Sequence, residues 1–156
     1  MYGSESAADT YHAARGNTTW AAATSANKLI ALQRGSDFVD RTFVLRFPGT
    51  RTNDHTQTEE WPRTGATYYR TGEAIAATVV PVEVEYSAYE AALRELDNPG
   101  ILLADYTPSS IPIEAKGGPV DVKFATGQSP LAVVAAVEGL LSSILVPNVR
   151  PSVMAV

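Results

Sequence analysis

Residues 11–17 read Tyr-His-Ala-Ala-Arg-Gly-Asn, with Trp20 three positions further on, and residues 61–65 read Trp-Pro-Arg-Thr-Gly. Each string places a tryptophan beside residues that favour turns, which is typical of a loop that joins helices and is held against a core. Neither string contains a catalytic motif. The two strings together predict a rigid structural module.

The composition predicts one soluble globular domain without cofactor or metal. The chain has 156 residues, of which 45% are hydrophobic and 19% charged, and it contains no cysteine. No apolar run reaches the roughly 18 residues that a membrane span needs, so we expect no membrane segment, and residues 1–9 lack the pattern of a secretory signal. The absence of cysteine excludes disulfides and thiolate metal sites. The net charge of −5 disfavours a strong non-specific nucleic-acid binder, which needs an excess of Lys and Arg.

Apolar periodicity predicts a mainly α fold, a small bundle of about four helices. The helices are expected from Ser4 or Ser6 to Arg15, from about Thr24 to Asp40, from Pro81 to about residue 97, and from Ser129 to Val146. Two inner faces follow from the spacing: Leu29, Leu32, Ser36, Val39 and Phe43 in the second helix, and Val82, Tyr86, Tyr89, Leu93 and Leu96 in the third. His12 is expected to be a surface or half-buried residue of the first helix and not a ligand.

Three segments are predicted outside these helices. Residues 47–80 are rich in Thr, Gly, Asn and Pro and form a long functional loop. Residues 111–125 form a β-hairpin around Lys116-Gly117-Gly118-Pro119, with Pro112 in an edge strand. Residues 147–156 contain two prolines and form an extended C-terminal arm beyond a domain of residues 1–146.

The two tryptophan strings, their order and the later Gly118-Pro119-Val120-Asp121-Val122-Lys123-Phe124 resemble a family of tailed-phage head-to-tail adaptors. Many members of that family carry the label "DnaT-like single-stranded-DNA-binding protein". The resemblance runs over residues 5 to 146 and also matches Asp37 and Asp40. It implies structural roles for eight residues: Tyr11, Arg15, Gly16, Asn17, Trp20, Trp61, Pro62 and Gly65.

The resemblance implies a virion protein of the phage neck, made in the bacterial cytoplasm, with no enzyme activity. Copies would form a ring, usually a dodecamer, between the portal protein and the next stopper or tail protein, and genomic DNA would only pass through the lumen. The arm is expected to bind the portal or a neighbouring copy through Val149, Arg150, Pro151, Val153, Met154 and Val156. Contacts between subunits are expected from Arg46, Arg51, Arg63, Tyr68, Tyr69, Arg70, Ile111 and Ile113.

Two other functions stay open at the level of sequence. The first is a single-stranded-DNA-binding replication accessory, in which Trp20, Trp61 or the cluster Tyr68-Tyr69-Arg70 would stack on bases. The second is a small hydrolase that uses Asp54, His55 and Glu59, with Glu60 nearby. A solvated loop tip is the simpler interpretation of that second cluster.

Overall fold

The computed structural model describes residues 1–103, 114–117, 120–123 and 135–147. These residues form a mainly helical bundle with a small antiparallel hairpin, which confirms the predicted fold class. The elements are α1 Glu5–Ala13, α2 Thr18–Ala22, α3 Ser25–Phe43, β1 Thr50–Arg51, β2 Arg63–Thr64, α4 Val82–Asp97, β3 Glu114–Gly117, β4 Val120–Lys123 and α5 Ala135–Leu141.

The bundle is centred on α3 and α4, which approach each other closely at Gly35. A Cβ atom on Gly35 would lie 2.5 Å from the carbonyl oxygen of Ala88 and 2.8 Å from the amide nitrogen of Ala92. Gly35 therefore lowers the helix propensity of α3 but allows two backbones to touch. The sequence analysis expected a helix through this region, and α3 continues one turn past the predicted end at Asp40.

The predicted inner faces of α3 and α4 are confirmed in part, since Leu32, Ser36, Val39 and Phe43 on α3 and Tyr89 on α4 are buried as predicted. Leu29 is 41% exposed and Val82 is 46% exposed, so both assignments to an inner face were wrong. Small residues set the contact instead, because the closest packing occurs where side chains are shortest. The faces that are fully buried contain Gly35 and Ser36 on α3 and Val84, Ser87, Ala88, Ala91 and Ala92 on α4.

The first tryptophan string contains a short helix that the sequence analysis did not predict. Ser4 caps α1, since its hydroxyl accepts a hydrogen bond from the amide of Ala7, and Gly16 follows α1 with a positive φ of 67°. After Asn17, residues Thr18–Ala22, which include Trp20, form α2. Tertiary burial of Trp20 stabilises a helix too short to be recognised from periodicity.

The long central loop is ordered without a long element of its own. Thr50 pairs with Thr64 and Arg51 with Arg63 in the antiparallel pair β1–β2. The β3–β4 hairpin was also predicted, but Lys116 and Gly117 belong to β3, and Gly117 pairs with Val120. Ile111, Pro112, Ile113 and Phe124 lie outside the described residues.

The described part of the last helix is α5, where Val137 and Leu141 are buried as predicted. Ile144, which follows the helix, is also buried. The predicted start at Ser129 and the whole arm from residue 148 onward lie outside the described residues. In the ranges that the structure describes, no helix has the length and apolar character needed to span a membrane.

Candidate interaction surfaces

The first tryptophan is fixed at the junction of α1, α2 and α3. Trp20 is 2% exposed, and its Nε1 donates to Asp9 Oδ1 over 2.7 Å. Lys28 Nζ donates to the same oxygen over 2.8 Å. The hydrogen bonds from Lys28 and then Trp20 hold the pKa of Asp9 below its usual value. The indole ring of Trp20 is therefore buried within its own chain and does not present a face at the surface.

The other residues of the first string pack around α4. Arg15 lies over the ring of Tyr11, with its Cζ 3.4 Å from the ring centroid. The Tyr11 hydroxyl donates to Glu90 Oε1 over 3.0 Å. Burial of the hydroxyl, and to a smaller extent this bond to the Glu90 carboxylate, raise the pKa of Tyr11 to about 12. His12, expected to be exposed or half-buried, is fully buried with its ring centroid 4.3 Å from that of Trp20, so that expectation was wrong.

The second tryptophan anchors the long loop. Trp61 is 2% exposed, packs edge-on against Phe47 at 5.6 Å between ring centroids, and is joined to Pro62 by a cis peptide bond. Its amide donates to the hydroxyl oxygen of Tyr2 over 3.2 Å. Gly65 turns the chain after β2 with a positive φ of 73°.

Tyr2 connects the N-terminal residues to both α3 and the loop. Its amide donates to Ser36 Oγ over 2.9 Å, and its hydroxyl donates to Asp40 Oδ1. Asp40 Oδ2 also accepts from the amide of Glu60 over 3.1 Å. Burial raises the pKa of Asp40 to about 6, although the hydrogen bonds from Tyr2 and Glu60 act in the opposite direction. We call Tyr2, Asp40 and Trp61 the N-terminal clasp. The sequence analysis missed Tyr2, because no local pattern signals a contact 38 residues away.

Glu60 binds two of the arginines that were predicted to contact neighbouring subunits. Arg51 Nε donates to Glu60 Oε1 over 3.0 Å, and an Arg63 terminal nitrogen donates to Oε2 over 2.6 Å. Burial raises the pKa of Glu60, but the hydrogen bonds and charge of Arg51 and Arg63 outweigh it and hold that pKa below its usual value. Arg63, only 7% exposed, also donates to the carbonyls of Pro48 and Gly49 over 2.8 and 2.6 Å.

The remaining residues assigned to subunit contacts differ in exposure. Arg46 is half-buried and donates to Glu138 Oε1 over 2.6 Å. Tyr68 is half-buried, whereas Tyr69 and Arg70 are exposed at the tip of a turn closed by the Tyr68 amide and the Glu73 carbonyl at 2.9 Å. The assigned contacts stay predictions, and those of Ile111, Ile113 and residues 149–156 lie outside the described residues.

Three exposed apolar side chains surround the end of the described chain. Leu45 is 96% exposed, Tyr69 is 54% exposed and Val146 is 40% exposed. The Val146 amide donates to the carbonyl of Arg46 over 2.9 Å, and the Tyr69 amide donates to the carbonyl of Ser143 over 2.8 Å. These hydrogen bonds bring the backbone segments that carry Leu45, Tyr69 and Val146 to one region of the chain, and we call these three residues the apolar patch.

A second apolar area lies near the start of α3. Ile30 is 53% exposed and Leu29 is 41% exposed. Ile30 also borders a shallow groove of about 200 Å³ between α3 and the end of α4, together with Leu96 and Pro99. Helical geometry separates Leu29 from Leu45 by roughly 24 Å, because each residue of a helix rises about 1.5 Å.

Two carboxylates in and beside the suggested hydrolase cluster, those of Glu59 and Glu60, are paired with other groups of the chain. Asp54 and His55 line an open depression of about 340 Å³, but the carboxylate of Glu60 in the same depression is held by Arg51 and Arg63. Glu59 binds the amino group of Met1. Among the described residues, no group of three or more His, Asp or Glu side chains could hold a metal ion.

Comparison with known proteins gives one match. Neither curated proteins nor solved structures include a match to this chain. The family model described as "Putative DnaT-like ssDNA binding protein" matches residues 1–155. This confirms the DnaT-like part of the resemblance and agrees with the single-stranded-DNA alternative better than with an adaptor, for which the comparisons contain no evidence. Because the match covers nearly the whole chain, the protein belongs to this DnaT-like family.

Proposed function

We propose that the protein is a structural assembly protein, a head-to-tail adaptor of a tailed-phage neck that acts through contacts with other polypeptides. In this role copies form a ring, with twelve as the expected number, between the portal and a stopper or tail protein. The DNA channel continues through the ring, and the protein needs no enzyme activity or cofactor. The observation that supports this proposal most is the burial of the aromatic side chains together with the exposure of apolar ones.

Buried aromatic rings cannot stack on bases. Trp20, Trp61, Tyr2 and Tyr89 are each no more than 2% exposed, and Tyr11 is 6% exposed. Proteins that bind single strands without sequence preference instead display several aromatic faces along a basic groove. Tyr69 is the most exposed large aromatic side chain of the described residues, and a single ring does not make such a groove.

The charge distribution also favours protein partners. Arg46 pairs with Glu138, and Arg51 and Arg63 share the carboxylate of Glu60, so two of these three positive charges near the long loop are balanced within the chain. The chain as a whole has a net charge of −5. Phosphate contacts need cations that are free to replace counterions, and a negative ring lumen lets DNA pass with weak contacts.

The two exposed apolar areas suit a ring. A closed ring requires each subunit to present two different, complementary faces, because the contact is heterologous. The area at Leu29 and Ile30 and the apolar patch lie at opposite ends of α3. Exposed apolar groups of this size are typical of protein interfaces, whose cores exclude charged residues.

The experiment is native mass spectrometry of the protein alone and with the portal protein of a phage that encodes it. We expect a ring complex with the portal, and we expect Ile30→Glu and Leu45→Glu to reduce its amount at least tenfold. Ala21→Glu, at an exposed position of α2, adds the same charge elsewhere and should have no effect. Failure to form any complex with the portal, with all proteins folded, would reject the adaptor proposal.

Single-stranded DNA binding is the second candidate, and the family description favours it. The specific observation is the turn that displays Tyr69 and Arg70, with the Gly72 amide bonded to the Tyr68 carbonyl over 2.8 Å. An exposed ring beside a free guanidinium can stack on a base and contact a phosphate. This candidate predicts that Tyr69→Ala and Arg70→Ala each weaken oligonucleotide binding at least tenfold, whereas Thr71→Ala in the same turn does not. Equal affinities for all three variants would reject this turn as the binding site.

A further inference from the structure

The apolar patch lies directly before the last nine residues of the sequence. Val146 belongs to the patch, and residue 148 follows after Pro147 alone. The segment 148–156 contains Val149, Val153, Met154 and Val156 and no acidic side chain. Both the patch and the segment therefore present apolar groups that water solvates poorly.

The segment is long enough to lie across the patch. Nine residues span at most about 30 Å when fully extended. Two backbone hydrogen bonds, from Val146 to Arg46 at 2.9 Å and from Tyr69 to Ser143 at 2.8 Å, keep the patch residues beside the point where the segment starts. The segment can therefore reach Leu45 and Tyr69 without any change in the bundle.

We propose that residues 149–156 bind the apolar patch of their own chain in the isolated protein. Attachment favours this occupant, because a tethered segment meets its site at a high effective concentration and loses no translational freedom on binding. Pro147 and Pro151 restrict the backbone before binding, so less entropy is lost when the segment is ordered.

This inference concerns the isolated chain and holds under either proposed function. In an adaptor, the same contact would keep the apolar segment covered until a partner protein binds the segment in place of the patch. A binding surface that is occupied by its own chain resists self-association, because the apolar groups of two copies do not meet.

The chain has no cysteine, so an introduced pair gives a clean distance test. In Leu45→Cys/Met154→Cys, mild oxidation should form a disulfide within one chain, detected by mass and by mobility on a non-reducing gel. The control pair is Ala26→Cys/Met154→Cys, because Ala26 is exposed on α3 and about 25 Å from the end of that helix. We expect the Leu45 pair to close at least tenfold faster than the control pair.

Each other outcome overturns the proposal. Equal rates for the two pairs would mean that the segment moves freely, and absence of any disulfide would mean that it stays away from the patch. Disulfides between two chains would assign the patch to a neighbouring copy instead. A second set of variants tests whether apolar contacts hold the segment on the patch. In a Tyr69→Cys/Met154→Cys background, Leu45→Glu should slow formation of the disulfide about tenfold, and Ala21→Glu should not change its rate. Leu45 is 96% exposed, so its replacement leaves the core intact.

Discussion

The N-terminal clasp should contribute a large part of the stability of the long loop. The test substitution is Tyr2→Phe, which removes one oxygen and keeps the ring in its buried site. It deprives the Asp40 carboxylate of a donor and leaves the Trp61 amide without its acceptor. A hydrogen bond to a charged group contributes about 1.5–3 kcal/mol, and an unsatisfied buried amide costs about 1–3 kcal/mol. Added together, these contributions give an expected loss of about 2.5–6 kcal/mol, which is a large fraction of the roughly 5–15 kcal/mol that stabilises a typical domain.

The assay is urea denaturation followed by tryptophan fluorescence, with hydrogen exchange of residues 47–80 as a local measurement. The matched control is Tyr69→Phe, because the Tyr69 ring is 54% exposed and its substitution should change the unfolding free energy by less than about 0.5 kcal/mol. Exchange in the loop should accelerate in Tyr2→Phe and stay constant in the control. A Tyr2→Phe protein as stable as the wild type, with unchanged exchange in the loop, would refute the role of the clasp.

Three further predictions concern the bundle and its charges. Gly35→Ala should destabilise the protein by about 1–3 kcal/mol, because its Cβ would lie 2.5 Å from the Ala88 carbonyl oxygen. In the control Gly139→Ala, the new Cβ in α5 meets no atom within 4 Å, so this substitution should be neutral or stabilising. Equal midpoints of the two variants in thermal denaturation would contradict this prediction. Glu60→Ala leaves the buried Arg63 unpaired and should cost about 3–5 kcal/mol, against less than about 0.5 kcal/mol for the exposed Glu73→Ala, both measured by urea denaturation. Burial raises the pKa of Asp40 to about 6, above its value of 3.8 in the unfolded chain. The contribution of protonated Asp40 to stability is therefore fully present below pH 4 and is lost as the pH rises through 6. The unfolding free energy of Asp40→Asn minus that of the wild type should increase from about pH 4 to about pH 7, and a difference that stays constant with pH would exclude this titration.

The sequence predicted the elements whose signals are local. Ser4 caps α1, Gly16 follows α1 with a positive φ, and Val137 and Leu141 line the inner face of α5, each in agreement with spacing or capping chemistry. The β3–β4 hairpin followed from two alternating runs around glycine and proline. These features depend on residues within a few positions of one another, which is the range over which sequence patterns are informative.

The faces of α3 and α4 were predicted from hydrophobicity in part, since Leu32, Val39 and Phe43 on α3 and Tyr89 on α4 are buried as their spacing indicated. Leu29 and Val82 have apolar side chains whose periodicity predicts a place in the core, yet both are exposed. The close contact at Gly35, Ala88 and Ala92 decides the orientation of the two helices, and this contact depends on the shape of both helices at once. Small residues give a weak hydrophobic signal although they permit the tightest packing.

The candidate site was predicted in part. The exposure of Tyr69 and Arg70 agrees with a surface role, but sequence alone could not show that Glu60 already pairs with Arg51 and Arg63. Tyr2 gave no signal, because its partners Asp40 and Trp61 are distant in sequence. Long-range pairing of polar groups is set by the fold and cannot be derived from composition or spacing.

The central claim is that the protein acts on other polypeptides and does not hold single-stranded DNA. Fluorescence anisotropy of a labelled oligothymidine, titrated with the protein at low salt and then at physiological salt, tests it most directly. The account predicts no saturation at physiological salt up to about 100 µM protein, which is the weak end of non-specific binding. Saturable binding below about 1 µM that weakens steeply with salt, and that is lost in Tyr69→Ala, would contradict it.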